Sequence, residues 1–478
     1  MGRSRRTGWS VRATPIFREW PLPMTRPSVA LDPSDGCHGP SRRQLLGMTG
    51  LLALGGCATS AGHAPASLAP ADAAARAAPF PFTNPWVATV VGTPAELRAV
   101  LPDGPAPRRA TLEQFPGRAI PEGFWYYDGG LTYSTLLQER PAPLVFVIAG
   151  TGADDRSRLM ILLARTLHAG GAHVVLIPSP SHANFIVTAS STFMPGNSEQ
   201  DAADLLKVMD AIRHRLAGRI QVTRYDLTGY SLGAWHAAFV ARADAARAEP
   251  IGFDRVLLIN PPLNLYHSIQ QIDAMLYKGL PQGIDGLDHF LSRVTARLAY
   301  AMGPTDPLDF SGQDVLLDLY RRLQPSDESL ATTVGLAFRL STTNLIFTSD
   351  VMSRSDYVFP RGQEFRSTTP LGDYLAVTLR LSFVDYFDDL FIERYAGGGL
   401  TRQDLIDRSD LRWIGGWLAG QKQIGLITNA DDVILAPGDL DELREIFGER
   451  AWVHAYGGHM GNLAFWPVVE QISGYFTA

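Results

Sequence analysis

The sequence predicts an α/β fold: a mainly parallel central sheet with helices on both faces and a large helical insertion. Three observations predict it. Short apolar runs alternate with helix-like stretches along most of the chain, as in strands joined by crossover helices. A Gly-x-Ser-x-Gly pentapeptide, Gly229 to Gly233, lies where one such run passes into a helix-like stretch. About 160 residues separate the apolar run that ends at Asn260 from the next at Gln423, far more than a crossover needs.

The elements follow in order. Gly123 to Leu137 reads as an antiparallel hairpin turning at Asp128-Gly129-Gly130, since glycine supplies the positive φ of a tight turn. Strand 144–149 is continuously apolar, as expected of a strand buried on both faces. Helix 156–169, strand 172–178, helix 199–217, strand 222–229, helix 232–246 and strand 254–260 complete the first half. Helix-like stretches in the insertion are Ile284 to Met302, Gln313 to Leu323 and Tyr374 to Tyr395. The apolar run Gln423 to Leu435 contains Asp431-Asp432. Another, Ala451 to Tyr456, breaks at Gly457-Gly458-His459 before a final amphipathic segment, Leu463 to Phe476. There is no internal repeat.

Ser231 is the candidate nucleophile. Glycine at i−2 and i+2 of a serine, between strand and helix, is the pattern of a tight turn that presents the hydroxyl in strained geometry. Serine needs a histidine base, and the base needs a carboxylate. Both follow downstream: Asp432, with Asp431 as the alternative, and His459, each just past an apolar run. A carboxylate after a strand falls on the C-terminal edge of the sheet, where open α/β sheets place their sites. His454 lies within a strand, and His236 sits on the helix after the turn, too far round to serve Ser231.

Gly229, Ser231 and Gly233, then Asp431-Asp432, then His459, make a set that resembles the α/β-hydrolase fold family of serine hydrolases over about residues 120 to 478. The resemblance implies an oxyanion hole from the backbone N–H of Leu232 and of Thr151, the latter in the loop after the third strand. That loop reads Ala149-Gly150-Thr151-Gly152; many family members have His-Gly-x-Gly there. It also implies that the insertion is a cap enclosing an apolar acyl or alkyl pocket. Ser179, Ser181 and His182 would fall near its rim, as substrate contacts or as turn formers.

The start of the chain carries a second signal. Ser41-Arg42-Arg43 precedes the apolar stretch Leu45 to Leu54, and Leu54-Gly55-Gly56-Cys57 follows. A charged start, a short apolar middle and small residues mark a secretory signal, too short to span a bilayer. The small residues before Cys57 resemble a bacterial lipobox, which implies lipid modification of that cysteine. Translation starting at Met24 or later would give the signal a more ordinary length. The expected organisation is an export signal over 1–56, a flexible Ala/Pro-rich tether over 57–84, a hydrolase core over 85–260 and 417–478, and a cap over 261–416. Ala58 after the cysteine points to the outer membrane rather than retention at the inner one.

Composition narrows the partners. Residues 1–56 hold eight Arg against three acids, so of a full-chain net charge of −6 the remainder stands at −11, the wrong sign for nucleic acid. Of two cysteines only Cys57 would survive cleavage, so no disulfide is expected. No Cys/His grouping suggests a metal, and no cofactor is expected. The sequence thus reads as a lipid-anchored envelope hydrolase acting on an ester or thioester of a small-molecule or lipid-like acyl substrate. A peptidase, an acyltransferase with the same residues, and a non-catalytic binding lipoprotein are the alternatives.

Overall fold

The computed structural model describes residues 78–301, 314–396 and 399–477. The segment 1–56 expected to be an export signal, Cys57, the expected tether up to residue 77 and the part of the insertion at 302–313 lie outside the described residues.

The centre is an eight-stranded sheet in the order β1-β2-β4-β3-β5-β6-β7-β8. Its strands are β1 (Arg108–Leu112), β2 (Leu131–Leu136), β3 (Ala142–Ile148), β4 (His173–Ile177), β5 (Val222–Tyr230), β6 (Phe253–Ile259), β7 (Ile424–Asn429) and β8 (Ala451–His454). β2 pairs antiparallel with β1 and β4; every other pairing is parallel. The strongly apolar strands β3, β4 and β7 are the most deeply buried, with helices covering both faces. The C-terminal ends of β3, β5, β6, β7 and β8 therefore share one edge, and the loops leaving them meet there.

Helices α1 (Pro85–Val91), α2 (Arg158–Ala169), α3 (Ala183–Thr188), α4 (Ser198–Leu216), α5 (Leu232–Ala245), α12 (Asp439–Phe447) and α13 (Trp466–Thr477) accompany the sheet. Among the described residues the span between β6 and β7 has helices and no strand. It contains α6 (Leu265–Tyr277), α7 (Leu287–Ala301), α8 (Val315–Leu323), α9 (Asp327–Ser353), α10 (Gly372–Thr378) and α11 (Arg402–Arg408).

Three expectations need correcting. The hairpin starts earlier: its first arm is β1, and Glu122–Tyr127 forms a 3-10 turn. That turn buries Phe124 against Phe365 of the insertion, with ring centroids 4.8 Å apart, so its aromatics serve packing rather than pairing. The helix expected from Tyr374 to Tyr395 breaks after α10 and restarts at Phe383, where Ser382 and Asp385 form a reciprocal cap. The 27-residue α9 was not anticipated. It opens at Ser326, whose side chain accepts from Ser329 N–H, with Asp327 and Glu328 at the positive end of the helix dipole.

The fold turns on one close approach. A Cβ on Gly233 would lie 2.1 Å from the Ile148 carbonyl oxygen of β3, and one on Gly229 would lie 2.2 Å from the Gly233 carbonyl oxygen. Both atoms are backbone and cannot move aside. Gly233→Ala is expected to destabilise by about 1–3 kcal/mol. Gly474→Ala, on α13 with open space around it, should instead gain about 0.5–1 kcal/mol. Denaturant titration of both variants checks the contrast.

Candidate active site

Ser231 occupies the turn between β5 and α5 with φ 53° and ψ −125°, a conformation that costs a non-glycine residue about 1–3 kcal/mol. The turn is held open by the Ser231 N–H, which donates to the Ile259 carbonyl of β6 at 2.8 Å. It leaves the hydroxyl at the head of α5 and above the sheet edge.

The structure brings Ser231, His459 and Asp432 together. His459 Nε2 lies 2.9 Å from Ser231 Oγ, and His459 Nδ1 lies 3.0 and 3.1 Å from the two Asp432 oxygens. An ionised carboxylate only accepts, so Nδ1 carries the proton and Nε2 is left to accept from the serine hydroxyl. The Asp432 side chain is fully buried and that of His459 is 7 % exposed, so the pair interacts with little screening.

The two aspartates face different partners, and Asp432 is the one that meets the His459 ring. Asp432 also accepts from Asn260 Nδ2 at 2.8 Å and from the Ile434 N–H at 3.2 Å. Asp431 points elsewhere: it accepts the N–H groups of Gly457 and Gly458 at 3.2 and 2.8 Å. Burial raises the Asp431 carboxyl above its ordinary pKa, opposed by those two N–H groups. Asp431 thus shapes the loop that carries His459. Sequence reading missed Asn260, which has φ 48°; the only signal was an asparagine at a strand end, before Pro261-Pro262.

The histidine loop is clamped. His459 N–H donates to Thr89 Oγ1 of α1 at 2.9 Å, and Asn429 and Asn462 bond to each other across the loop at 2.6 and 3.0 Å. A Cβ on Gly458 would meet the Pro85 carbonyl oxygen at 2.3 Å, so only glycine lets α1 sit this close.

Leu232 opens α5, so its N–H has no acceptor within the helix and points from the positive end of the dipole. Thr151 lies beside Ser231 and Leu232 in the wall of one cavity. The next residue, Gly152, has φ 66° and donates its N–H to Ser181 Oγ at 2.9 Å. Ser179 Oγ is 2.9 Å from Ser181 Oγ. Of the candidate rim residues, Ser181 therefore braces the Thr151 loop and also lines the cavity. His182 caps α3, its Nδ1 accepting from the Asn184 N–H at 3.2 Å. His236 pairs with Asp201 at 3.1 Å, and His454 with Gln471 at 3.0 Å; neither reaches Ser231.

The insertion closes over this edge. On α9, Phe338 packs its ring 6.3 Å from that of His459, and Ser341 lies against Gly152 so closely that a Cβ there would be 2.8 Å from its Oγ. Leu345, one turn on, lines the cavity beside Ser231. That cavity has a volume of about 70 Å³ and is walled mainly by Leu, Ile, Phe and Tyr side chains. A larger hollow of about 360 Å³ lies at the opposite end of the sheet, by Leu144, Arg213 and Val222, away from every group described above.

An edge-antiparallel, otherwise parallel sheet in this strand order, with a serine elbow after β5, is the α/β-hydrolase fold. No protein-family model matches the chain, and no curated protein matches it. Solved structures similar to it include a thioesterase domain from the curacin biosynthetic pathway, at 14% identity and a TM-score of 0.37, covering 78% of this chain and 100% of that one. An esterase from Pyrococcus furiosus is similar at 12% identity and a TM-score of 0.36, covering 81% and 96%. A membrane phospholipase A described as a bacterial virulence factor is similar at 16% identity and a TM-score of 0.34, covering 72% and 81%. The fold assignment rests on the sheet order and the elbow themselves.

Asp432→Asn should slow fluorophosphonate labelling of Ser231 by about 10⁴-fold, because an amide opposite Nδ1 favours the wrong tautomer. Asp431→Asn, which alters only the loop, should slow it by less than about tenfold. Gel-based labelling rates distinguish the two.

Proposed function

We propose that this protein is a serine hydrolase that cleaves a carboxylic ester or thioester with an apolar acyl chain. The observation that carries the reading is the unbroken hydrogen-bonded series Ser231–His459–Asp432 at the mouth of an apolar cavity. Ser231 Oγ attacks the acyl carbonyl while His459 Nε2 takes its proton. Asp432 holds the ring and stabilises the imidazolium that forms. The N–H groups of Leu232 and Thr151 receive the negative oxygen. His459 then protonates the leaving alcohol or thiol, and a water deprotonated by His459 releases the acid from the acyl-enzyme.

The cavity wall supports an unsubstituted hydrocarbon chain as the acyl group. Its polar side chains away from Ser231 are turned into the protein. Tyr386 donates to the Pro195 carbonyl at 2.8 Å, Ser268 to the Ile434 carbonyl at 2.8 Å, and Ser409 to the Ile406 carbonyl at 2.7 Å. With the O–H protons of these three groups already donated to carbonyls, a hydroxyl on the chain would give up its water for poorer partners there. The volume is far below the roughly 300–1,000 Å³ of pockets that hold drug-sized ligands, so longer chains require the insertion to yield.

The same proposal places the enzyme at a bacterial membrane, held by lipid on Cys57 through the Ala/Pro-rich tether. It rests on the lipobox-like residues; among the described residues no helix is long and apolar enough to cross a membrane. The outer membrane, facing the periplasm, is the proposed location.

Wild-type protein should label with a fluorophosphonate and hydrolyse p-nitrophenyl esters, while Ser231→Ala and His459→Ala should do neither. A folded wild type that fails to label overturns the hydrolase reading in favour of a binding protein. Leu345→Trp, which fills the cavity, should lower kcat/KM for octanoyl esters by at least about tenfold and spare acetyl esters. Cys57→Ala should move the protein from the membrane fraction to the soluble fraction of expressing cells; an unchanged distribution removes the anchor from the proposal.

A further inference from the structure

The loop that carries Thr151 runs from the end of β3 to the start of α2, and a buried carboxylate ties it to the far edge of the sheet. Asp155 has no exposed side-chain surface. It accepts from Ser134 Oγ at 2.5 Å and from Arg109 Nε at 3.2 Å to each oxygen, with Arg109 Nη2 as a further donor. Arg109 also reaches Asp154 at 3.2 Å. Arg109 on β1 and Ser134 on β2 are direct cross-strand partners, so the two donors arrive as one fork from a rigid pair of strands.

The rest of the loop is fixed from the other side. Gly152 N–H donates to Ser181 Oγ, Ser179 N–H donates to the Ala153 carbonyl at 3.0 Å, and Ser157 Oγ lies 3.2 Å from Tyr230 OH beside the elbow. Thr151 is held between these ties. Stability alone does not call for a charge at position 155, because a well-packed apolar residue usually stabilises at least as well as a buried ion pair. What a bidentate guanidinium–carboxylate pair adds is direction.

We propose that Asp155, held by Arg109 and Ser134, is a positioning residue that sets the aim of the Thr151 N–H at the developing oxyanion. The proposal rests on Ser231 acting as the nucleophile. It assigns the antiparallel β1–β2 edge a part in the reaction, although no residue of β1 or β2 lines the cavity beside Ser231.

The test compares the purified wild type with Asp155→Asn, Ser134→Ala, Arg109→Lys and Arg109→Ala on p-nitrophenyl butyrate, with melting temperature recorded for each. Asp155→Asn should lower kcat by about 100-fold, the scale of a 1 Å misplacement, and leave KM within about twofold, as expected when only transition-state contacts are lost. Arg109→Lys should recover part of the kcat lost in Arg109→Ala. Amide hydrogen exchange over residues 150–153 should speed up in Asp155→Asn while that of α5 stays unchanged. A folded Asp155→Asn with wild-type kcat overturns the proposal. Should that variant not fold, Ser134→Ala decides: a kcat lowered about tenfold at constant KM supports the proposal, and an unchanged kcat overturns it. A wild type that hydrolyses no ester defeats the hydrolase reading instead. The exchange comparison then still reports whether Asp155 fixes the loop, and unchanged exchange overturns that too.

Discussion

The contact on which the rest depends is the approach of α5 to β3 at the serine turn. Two glycines let the backbones close to within a distance that no side chain would permit. This lets Ser231 keep its positive φ with its N–H tied to β6. The strain is sustained because the surroundings over-determine it: Trp235, Ala237 and Ala238 of α5 are fully buried. Relaxing the turn would unpack a core helix, so the hydroxyl stays aimed at His459 and the Leu232 N–H stays aimed beside it. The placements of the Ser231 hydroxyl and of the Leu232 N–H are thus consequences of one packing event.

Around that turn, Asp432 and His459 are oriented by neighbours drawn from different strand ends. Asn260 after β6 steadies Asp432 after β7; Asp431 and Asn429 shape the loop after β8 that bears His459. A parallel sheet collects these loops on one edge, which is why Ser231 and His459, 228 positions apart, come within hydrogen-bond distance. Enclosure then strengthens every polar contact in the site. It is completed by α9, which touches His459, the Thr151 loop and the cavity with successive turns.

The insertion has a polar cost of its own. Arg339, the residue after Phe338, is 1 % exposed and pairs with Asp273 at 3.3 Å. Burial pushes the Asp273 carboxyl above its ordinary pKa, while the N–H groups of Val384 and Phe383 and the Arg339 charge oppose it. The pair joins α6, α9 and the segment restarting at Phe383. These are the elements whose apolar faces wall the cavity, so it fixes their register where apolar packing alone would let them slide.

The elbow glycines, the order serine–aspartate–histidine and the strand-like runs were legible in the chain because they obey local rules: a period of two, a turn that demands glycine, a polar residue just past an apolar run. Sequence also narrowed the acid to two neighbours and favoured Asp432 over Asp431, while which carboxylate faces the ring depends on a backbone bend after β7. It failed on α9 for a physical reason. Buried on several faces and rich in Ser and Thr, that helix shows no clean stripe, and its hydroxyls turn back on their own carbonyls, as Thr342 on Phe338 at 3.0 Å and Thr343 on Arg339 at 2.9 Å. It failed on the first hairpin arm because the aromatics at 124–127 look like strand and are held instead by the insertion. The sequence by itself determined the chemistry available at the sheet edge. Only the tertiary structure decided which groups orient it and what encloses it, because long-range packing, not local propensity, stabilises those contacts.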